Sequence, residues 1–276
     1  MKQSFVNCKN GTVYYWHTDI DTTKKTLFLL HGLTANHTMF EKQVNFFKDV
    51  YNVIIWDAPA HGKSRPYSDF SYENAVAVML QILNDSQIQE VVLVGQSMGG
   101  YMAQSFIARY PEMVKGFVSI DSTPFGDYYS LKQIEWMCKP FSEKLLKVSM
   151  AKQNAVTEAG RENMLEMVSD YEKEELCRLM GIGYAGFLDD NKELKISCPS
   201  LILVGEKDNT GKVTIIRSAM QQHIAMNGPT DSRVLISIMA RRFKTTKQRI
   251  SGNISYMVCK AGTLSIIRNK PHSILY

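Results

Sequence analysis

A short turn at residues 95–99, which reads Gly-Gln-Ser-Met-Gly, most strongly constrains how this chain can fold. The residues before it, 91–94, are all valine or leucine, a pattern typical of a buried strand. The residues after it carry apolar side chains at helical spacing as far as Pro111, which closes the pattern. The sequence therefore predicts that Ser97 lies on a sharp turn between a strand and a helix.

Such a turn would hold Ser97 in a strained backbone conformation and lift its hydroxyl above the edge of the sheet. Gly95 and Gly99 lack a Cβ, so the strand and the helix can pack closely beside the serine. The backbone N–H of Met98 and the helix N-terminus point toward negative charge that develops on a substrate. Ser97 is therefore a candidate nucleophile, although the same five-residue pattern also occurs in tight turns with an incidental serine.

The chain around this turn alternates between strand and helix patterns. A hairpin is predicted over residues 3–17, and the apolar runs at residues 26–30 and 51–56 predict central strands. Strands separated by helices predict right-handed βαβ units, and therefore an α/β fold with a mostly parallel sheet flanked by helices. The chemistry of such sheets lies at the carboxyl ends of the strands, where Asp57 and Ser97 both fall.

The pattern changes after the sixth strand. Residues 124–194 are helical in pattern and rich in Met, Glu and Lys. We therefore expect an α/β core formed by residues 1–123 and 195–239, with residues 124–194 inserted as a helical cap, or lid, that excludes water. Met and aromatic residues of the cap are candidates to line a substrate pocket, although ordinary helical core is the commoner role of such residues. The candidates are Trp136, Met137, Phe141, Met150, Met164 and Met167.

Composition narrows the classes of function. The five cysteines are odd in number and lack C-x-x-C spacing, which argues against a disulfide framework and against a zinc site. The first residues contain no apolar signal segment, and no apolar run reaches the length of a membrane span. We therefore expect a cytoplasmic protein without a metal, an organic cofactor or a membrane span, and the oligomeric state stays open.

The basic residues are unevenly distributed along the chain. Residues 232–276 contain nine Lys and Arg and no Asp or Glu, whereas the rest of the chain is acidic overall. A basic arm that binds nucleic acid or anionic membrane is one interpretation, but the apolar runs in this segment disfavour it, and we expect no nucleic-acid partner. The other hypothesis is a shifted reading frame, or a divergent or damaged gene. Residues 240–276 are therefore set apart as an atypical basic C-terminal segment.

Three motifs agree in order and spacing with one known family. LLHGL at residues 29–33, DAPAHGKS at 57–64 and VGQSMGG at 94–100 resemble the α/β-hydrolase family. GEKD at residues 205–208 is similar to the segment that supplies the family's acid, and the resemblance covers roughly residues 12–212. It implies an open, mostly parallel sheet with a helical cap, a Ser–acid–His triad and a carboxylesterase- or lipase-like activity on a small-molecule acyl substrate.

The resemblance also assigns roles to single residues. Ser97 is similar to the nucleophile, Asp208 to the acid that orients the histidine, and the backbone N–H groups of Leu33 and Met98 to the oxyanion hole. Ser97 would attack an ester, thioester or related acyl bond and form an acyl-enzyme that water hydrolyses. Ala60 stands where the family often has Gly, which predicts a different shape for that loop.

The histidine that should complete the triad is missing from its expected place. In the family it follows one more strand, which here matches residues 233–239, yet the next residues are Ala240, Arg241 and Arg242. Arginine stays protonated and cannot act as a base. Asp121 is an alternative acid, but none of the histidines is a convincing base. They are His17, His31, His37, His61, His223 and His272. A second interpretation is therefore a catalytically impaired or non-enzymatic hydrolase-fold protein that binds a ligand or a partner.

Overall fold

The computed structural model describes residues 1–122, 131–155, 157–190, 196–205, 235–239, 257–260 and 263–266. The strands are β1 Lys2–Cys8, β2 Gly11–His17, β3 Thr26–Leu30, β4 Asn52–Trp56, β5 Val91–Gln96, β6 Val114–Ile120, β7 Ser200–Gly205, β8 Leu235–Met239, β9 Met257–Lys260 and β10 Thr263–Ile266. The helices are α1 Glu41–Phe47, α2 Tyr72–Asp85, α3 Met98–Arg109, α4 Leu131–Cys138, α5 Glu143–Asn154, α6 Glu158–Met167 and α7 Lys173–Asp190. Short 3₁₀ turns lie at His37–Phe40, Gly62–Ser64 and Pro111–Met113.

The main sheet contains eight of the described strands, in the order β1-β2-β4-β3-β5-β6-β7-β8. Strands β3 to β8 pair in parallel, and the predicted N-terminal hairpin, β1 and β2, adds two antiparallel strands at one edge. The predicted α/β fold with a mostly parallel sheet is therefore confirmed. The remaining strands, β9 and β10, form a separate antiparallel pair within the basic C-terminal segment.

Alternating side chains of the central strands build two hydrophobic layers, one on each face of the sheet. Phe28 and Leu93 pack in the layer that contains α2 and α3, whereas Leu29 and Val94 pack against α1 on the other face. All five residues of β3 are buried. Both faces are covered because a parallel sheet carries its connecting helices on both sides, which explains the unbroken apolar runs in the sequence.

Helices α4 to α7 lie in the chain between β6 and β7, which are neighbouring parallel strands. Buried cap residues such as Leu146 and Leu179 belong to the same hydrophobic cluster as α2 and α3. The Tyr72 hydroxyl of α2 also donates a 2.8 Å hydrogen bond to the Gly183 carbonyl of α7. The helical insertion is thus packed on one face of the core, while its exact boundaries and its action as a lid stay predictions.

Five of the six predicted pocket residues of the cap fall into two groups, and the sixth, Met167, is half-buried. Met150 is buried, and Phe141 and Met164 pack partly buried against the main cluster, as ordinary core residues do. Trp136 and Met137 are exposed and line an open, mostly apolar cavity of about 590 Å³. None of the helices in the described part of the chain is long and apolar enough to cross a membrane.

Candidate active site

Ser97 is the single residue between the end of β5 and the start of α3. Its φ of 50° and ψ of −117° lie in a region that side-chain-bearing residues rarely occupy. The predicted strand–turn–helix at this position is confirmed. The sharp reversal keeps Ser97 partly exposed although the residues on both sides of the turn are mostly buried. Its role as a nucleophile stays a prediction.

The glycines of the turn are required by close packing. A Cβ on Gly95 would lie 2.5 Å from the backbone N of Gly100. A Cβ on Gly99 would lie 2.8 Å from the carbonyl oxygen of His31 and would overlap the carbonyl of Leu30. Real Cβ atoms do not make such contacts, so α3 can approach β3 and β5 this closely only because both positions lack a side chain.

Backbone and side-chain hydrogen bonds hold the turn rigidly. The Ser97 N–H donates to the Ile120 carbonyl at 2.9 Å, and the Ser122 hydroxyl donates to the Ser97 carbonyl at 2.8 Å. Gln96 pairs with Ile120 across β5 and β6, so Asp121, the alternative acid, follows directly at the same edge of the sheet. Asp121 has a φ of 43°, and its N–H donates to the Leu203 carbonyl at 2.9 Å.

The turn after β3 lies directly against Ser97. A Cβ on Gly32 would be 3.4 Å from the Ser97 Cβ and would overlap the Gln96 side-chain oxygen. Leu33 follows Gly32, and Met98 follows Ser97, so both predicted oxyanion-hole residues lie at this edge of the sheet. Helix α7 also reaches this turn, because a Cβ on Gly183 would be 3.5 Å from the Leu33 side chain.

His31 has a structural role in this turn. Its ring is fully buried, its Nδ1–H donates to the Gly32 carbonyl at 2.7 Å, and its Nε2 accepts a 2.9 Å hydrogen bond from the Ala58 N–H. Burial lowers the pKa of His31, which keeps the ring neutral. Because both ring nitrogens are occupied, His31 fastens the turn after β3 to the loop after β4.

His37 pairs with Asp57, a contact that the sequence analysis did not predict. The His37 Nδ1–H and backbone N–H donate to the same Asp57 oxygen at 2.8 and 2.7 Å, and the ring stacks on Trp16 with centroids 3.6 Å apart. Burial opposes the charge of Asp57, but the hydrogen bonds from His37 and the electrostatic effect of the neighbouring His31 and His37 rings outweigh it and lower the pKa of this carboxyl. The Lys63 N–H donates to its other oxygen at 2.7 Å, so Asp57 organises two loops.

The remaining described histidines are also engaged away from Ser97. His61 is fully buried, and its Nδ1–H donates to the Pro59 carbonyl at 2.9 Å. Burial lowers the pKa of His61 to about 3, so the ring is neutral. His17 contacts the Ser4 hydroxyl and the Thr18 carbonyl in the N-terminal hairpin. Within the described ranges, no histidine hydrogen-bonds to the Ser97 hydroxyl.

Asp208, His223 and His272 lie outside the described residues. The strands that precede the expected acid and histidine are described, because β7 ends at Gly205 and β8 ends at Met239, and these two residues are paired. The carboxyl ends of β7 and β8 therefore lie at the edge of the sheet that carries Ser97. In the part of the chain that the structure describes, no group of three or more His, Cys, Asp or Glu could hold a metal ion.

Comparison with known proteins gives a consistent result. A model of the alpha/beta hydrolase fold matches residues 25–226. The uncharacterized hydrolase YugF of Bacillus subtilis is 27% identical over 218 residues, which cover 71% of this chain and 77% of that protein. The serine hydrolase-like protein of Mus musculus is 25% identical, over 63% of this chain and 51% of its own length.

A shorter match with higher identity is found in the sn-1-specific diacylglycerol lipase ABHD11 of Xenopus tropicalis. It is 38% identical over 101 residues, which cover 36% of this chain and 31% of that protein. The matched part thus spans about half of the mouse relative and a third of the frog one.

Solved structures share the fold. An esterase from Thermogutta terrifontis aligns with a TM-score of 0.69 and 19% identity, over 86% of this chain and 90% of that one. A probable hydrolytic enzyme from Pseudomonas aeruginosa aligns with a TM-score of 0.68 and 17% identity, over 87% of both chains. At these identities the agreement establishes the architecture of the chain.

Proposed function

The chain belongs to the alpha/beta hydrolase fold family, and on that premise we propose that it is a serine hydrolase that cleaves ester-type bonds of small molecules. The substrate class is a carboxylic ester, a thioester or a related acyl compound. One observation carries the proposal: Ser97 stands alone between β5 and α3 with a φ of 50° and a ψ of −117°. A side-chain-bearing residue is held in such a conformation where the surrounding structure demands it, commonly at active sites.

In the proposed reaction, a base takes the proton of the Ser97 hydroxyl while the oxygen attacks the acyl carbon. The backbone N–H groups of Leu33 and Met98 then donate to the oxyanion, and each such hydrogen bond lowers the barrier by about 3–4 kcal/mol. Collapse of the intermediate releases the alcohol or thiol, which takes the proton. Water then hydrolyses the acyl-enzyme on Ser97 and releases the acid.

The choice of an ester substrate is supported by the relatives. The frog relative is a diacylglycerol lipase, and one of the structural neighbours is an esterase. Leu33 and the cap helix α7 approach each other closely beside Ser97, so an apolar acyl chain would find a predominantly apolar surface there. Asp208 is proposed as the acid of the triad, and Asp121 is the alternative because it follows β6 beside the Ser97 turn.

The base is the critical gap in the proposal. Strand β8 ends at Met239, and the residues that follow are Ala240, Arg241 and Arg242. The family match ends at residue 226, and the last acidic residue of the chain is Asp231. These coinciding breaks support the hypothesis that the C-terminal segment is read in a shifted frame. Sequencing the gene tests it, because the hypothesis requires a histidine codon near position 240 in an alternate frame.

A second candidate function rests on the same gap. A chain with an intact serine turn and no triad histidine would bind a ligand of the hydrolase site without turning it over. Binding of a short-chain carboxylic acid in a thermal-shift assay, without a burst of ester hydrolysis, would support this candidate. This ligand-binding protein would differ from the proposed serine hydrolase only in that Ser97 does not react.

A fluorophosphonate probe tests the proposed function directly, because it phosphonylates an activated serine. The assay compares the chain as given, the Arg242→His variant, a frame-corrected chain and a Ser97→Ala control. Labelling that Ser97→Ala abolishes supports the serine hydrolase, and stronger labelling of Arg242→His places the missing base after β8. If neither the given chain nor the frame-corrected chain is labelled at Ser97, the proposal is wrong.

A further inference from the structure

The cap exposes an apolar patch that the fold does not use. Trp136 is 73% exposed, Leu145 is 52% exposed and Met137 is 42% exposed. Across the described residues, large hydrophobic side chains with comparable exposure are few, and three of the seven fall within these ten positions. We define the cap patch as Trp136, Met137 and Leu145, which lie on α4 and α5.

The faces of α4 and α5 that point toward the core are already packed against other hydrophobic residues. Ile134 and Cys138 of α4 and Leu146 and Met150 of α5 are buried in the main hydrophobic cluster. The side chains of the cap patch are exposed and lie outside this cluster, so the two helices carry apolar side chains that the core does not bury. Exposing a tryptophan and two long aliphatic side chains together has a cost in water, which contact with an apolar phase would remove.

The cavity beside the patch has an amphipathic wall. It measures about 590 Å³, and its described lining consists of Trp136, Met137, Lys139, Pro140 and Phe141. A lysine thus stands at the rim of an otherwise apolar hollow. This arrangement suits a ligand that has an aliphatic body and a negatively charged end.

The charged residues of the segment that carries the patch are predominantly basic. Residues 131–148 contain four lysines and two glutamates. Lys132 and Lys144 are exposed, as is Lys139 at the cavity rim. Glu143 is held by Lys147 at 2.8 Å, and that pairing offsets its charge within the protein. Lys132 precedes Trp136 by four positions on α4, so the two side chains lie on one helical face.

We propose that the cap docks on an anionic lipid surface through the cap patch and its surrounding lysines. Tryptophan is favoured at the boundary between headgroups and acyl chains, because its ring is apolar and its N–H is polar. Lysines beside it pair with the phosphate and carboxylate groups of anionic lipids. This contact is peripheral and requires no spanning helix. It is independent of the proposed function, because docking needs no reaction at Ser97.

Vesicle sedimentation tests the proposal with the full chain. Phosphatidylcholine vesicles with phosphatidylserine should bind the protein, vesicles of phosphatidylcholine alone should bind it less, and added salt should weaken the binding. Trp136→Ala should weaken binding about tenfold, because the indole ring no longer enters the interface. Lys132→Gln and Lys139→Gln should each weaken it about fivefold. Trp136→Phe should bind nearly as well as the parent and lose most of the vesicle-induced shift in tryptophan fluorescence.

Helix α1 offers a matched control on the other face of the sheet. Phe46 is 50% exposed there, and Lys42 is exposed one turn before it. Phe46→Ala likewise removes an exposed aromatic ring, Lys42→Gln likewise removes an exposed positive charge, and both should leave vesicle binding unchanged. The proposal is overturned if no vesicle binds, or if the α1 variants weaken binding as much as the cap variants. It is also overturned if the cap variants only abolish a concentration-dependent dimer in sedimentation velocity.

Discussion

Arg65 and Glu175 join the loop after β4 to the cap through two parallel hydrogen bonds, from Nε to Oε1 at 2.9 Å and from Nη2 to Oε2 at 2.5 Å. The guanidinium also lies over the Tyr171 ring, 3.8 Å from its centroid, and donates to the Asp170 carbonyl at 3.0 Å. Both side chains of the ion pair are mostly shielded from water. The planar Arg65 guanidinium, held by these contacts, connects the start of α7 to the core.

We expect this pair to couple cap and core measurably. A double-mutant cycle of Arg65→Met and Glu175→Gln should give a coupling energy of about 1–2 kcal/mol in urea unfolding, because the bidentate pair is largely desolvated. The control cycle removes the exposed pair between Lys115 and Glu90, for which about 0.5 kcal/mol or less is expected. Equal coupling energies in the two cycles would contradict a specific stabilising role of the Arg65–Glu175 pair.

The strained conformation of Ser97 predicts an unusual order of stability. Ser97→Gly should be more stable than Ser97→Ala by about 1 kcal/mol, because glycine adopts a φ of 50° without the steric cost of a Cβ. At Ser149, inside α5, the order should reverse, with glycine less stable than alanine by about 1 kcal/mol. Thermal unfolding of the four variants measures both differences, and the same sign at the two sites would contradict the strain argument.

Close packing behind the turn predicts a severe effect at Gly99. Gly99→Ala should destabilise the fold by about 3 kcal/mol or more, because the added Cβ meets the backbone of β3, which cannot move aside. Gly116→Ala is the matched control, since its Cβ would lie at an ordinary 3.5 Å from the Val92 side chain. We expect that change to alter the free energy of unfolding by less than about 1 kcal/mol. Urea unfolding, or the yield of folded protein, distinguishes the two.

The buried His61 predicts a dependence of stability on pH. Its pKa falls to about 3 in the folded chain because of burial, so the unfolded chain binds a proton below pH ~6.5 and the folded chain does not. The neutral buried ring therefore contributes its full stabilisation above about pH 6.5, and this contribution is lost progressively as the pH falls toward about 3. Between about pH 7 and about pH 5, the free energy of unfolding of His61→Asn should therefore fall by roughly 2 kcal/mol less than that of the parent chain.

Urea titrations across this range measure the difference between the two chains. Above about pH 7 the two stability curves should run parallel, because the ring is then neutral in both the folded and the unfolded chain. His31 is also buried with a lowered pKa, so His61→Asn should reduce the slope without removing it. An unchanged slope would show that His61 is accessible to protons in the folded chain.

Much of the fold could be predicted because its signals are local. The runs that form β3 and β4 are apolar after their first residue, and Ser71 caps α2 through a 3.0 Å hydrogen bond from the Asn74 N–H, as its position before an apolar helix predicts. The order of the strands could not be derived in this way. That β3 lies between β4 and β5 depends on crossovers between distant segments, which local periodicity does not encode.

The conformation of the loop after β4 could also be predicted only in part from the sequence. Ala60 predicts a departure from the family, and the structure gives it a φ of 64°, in the left-handed region that glycine favours. The residue is almost fully buried, and the surrounding contacts hold it there. Neither the contact of Arg65 with Glu175 nor that of His37 with Asp57 could be predicted, because the partners are separated in the chain and only the tertiary structure brings them together.

The sequence by itself determined that Ser97 stands on a strand–helix turn, because a run of valine and leucine, two glycines and a helical pattern act over only a few residues. It also determined that Ala240, Arg241 and Arg242 follow the strand where a histidine is expected. Only the tertiary structure decided what the described histidines do. His31 and His37 are held by hydrogen bonds to the loop after β4, and His61 is held by burial and by a hydrogen bond to the nearby Pro59 carbonyl. All three are therefore structural residues, since a ring's environment depends on every segment that packs around it.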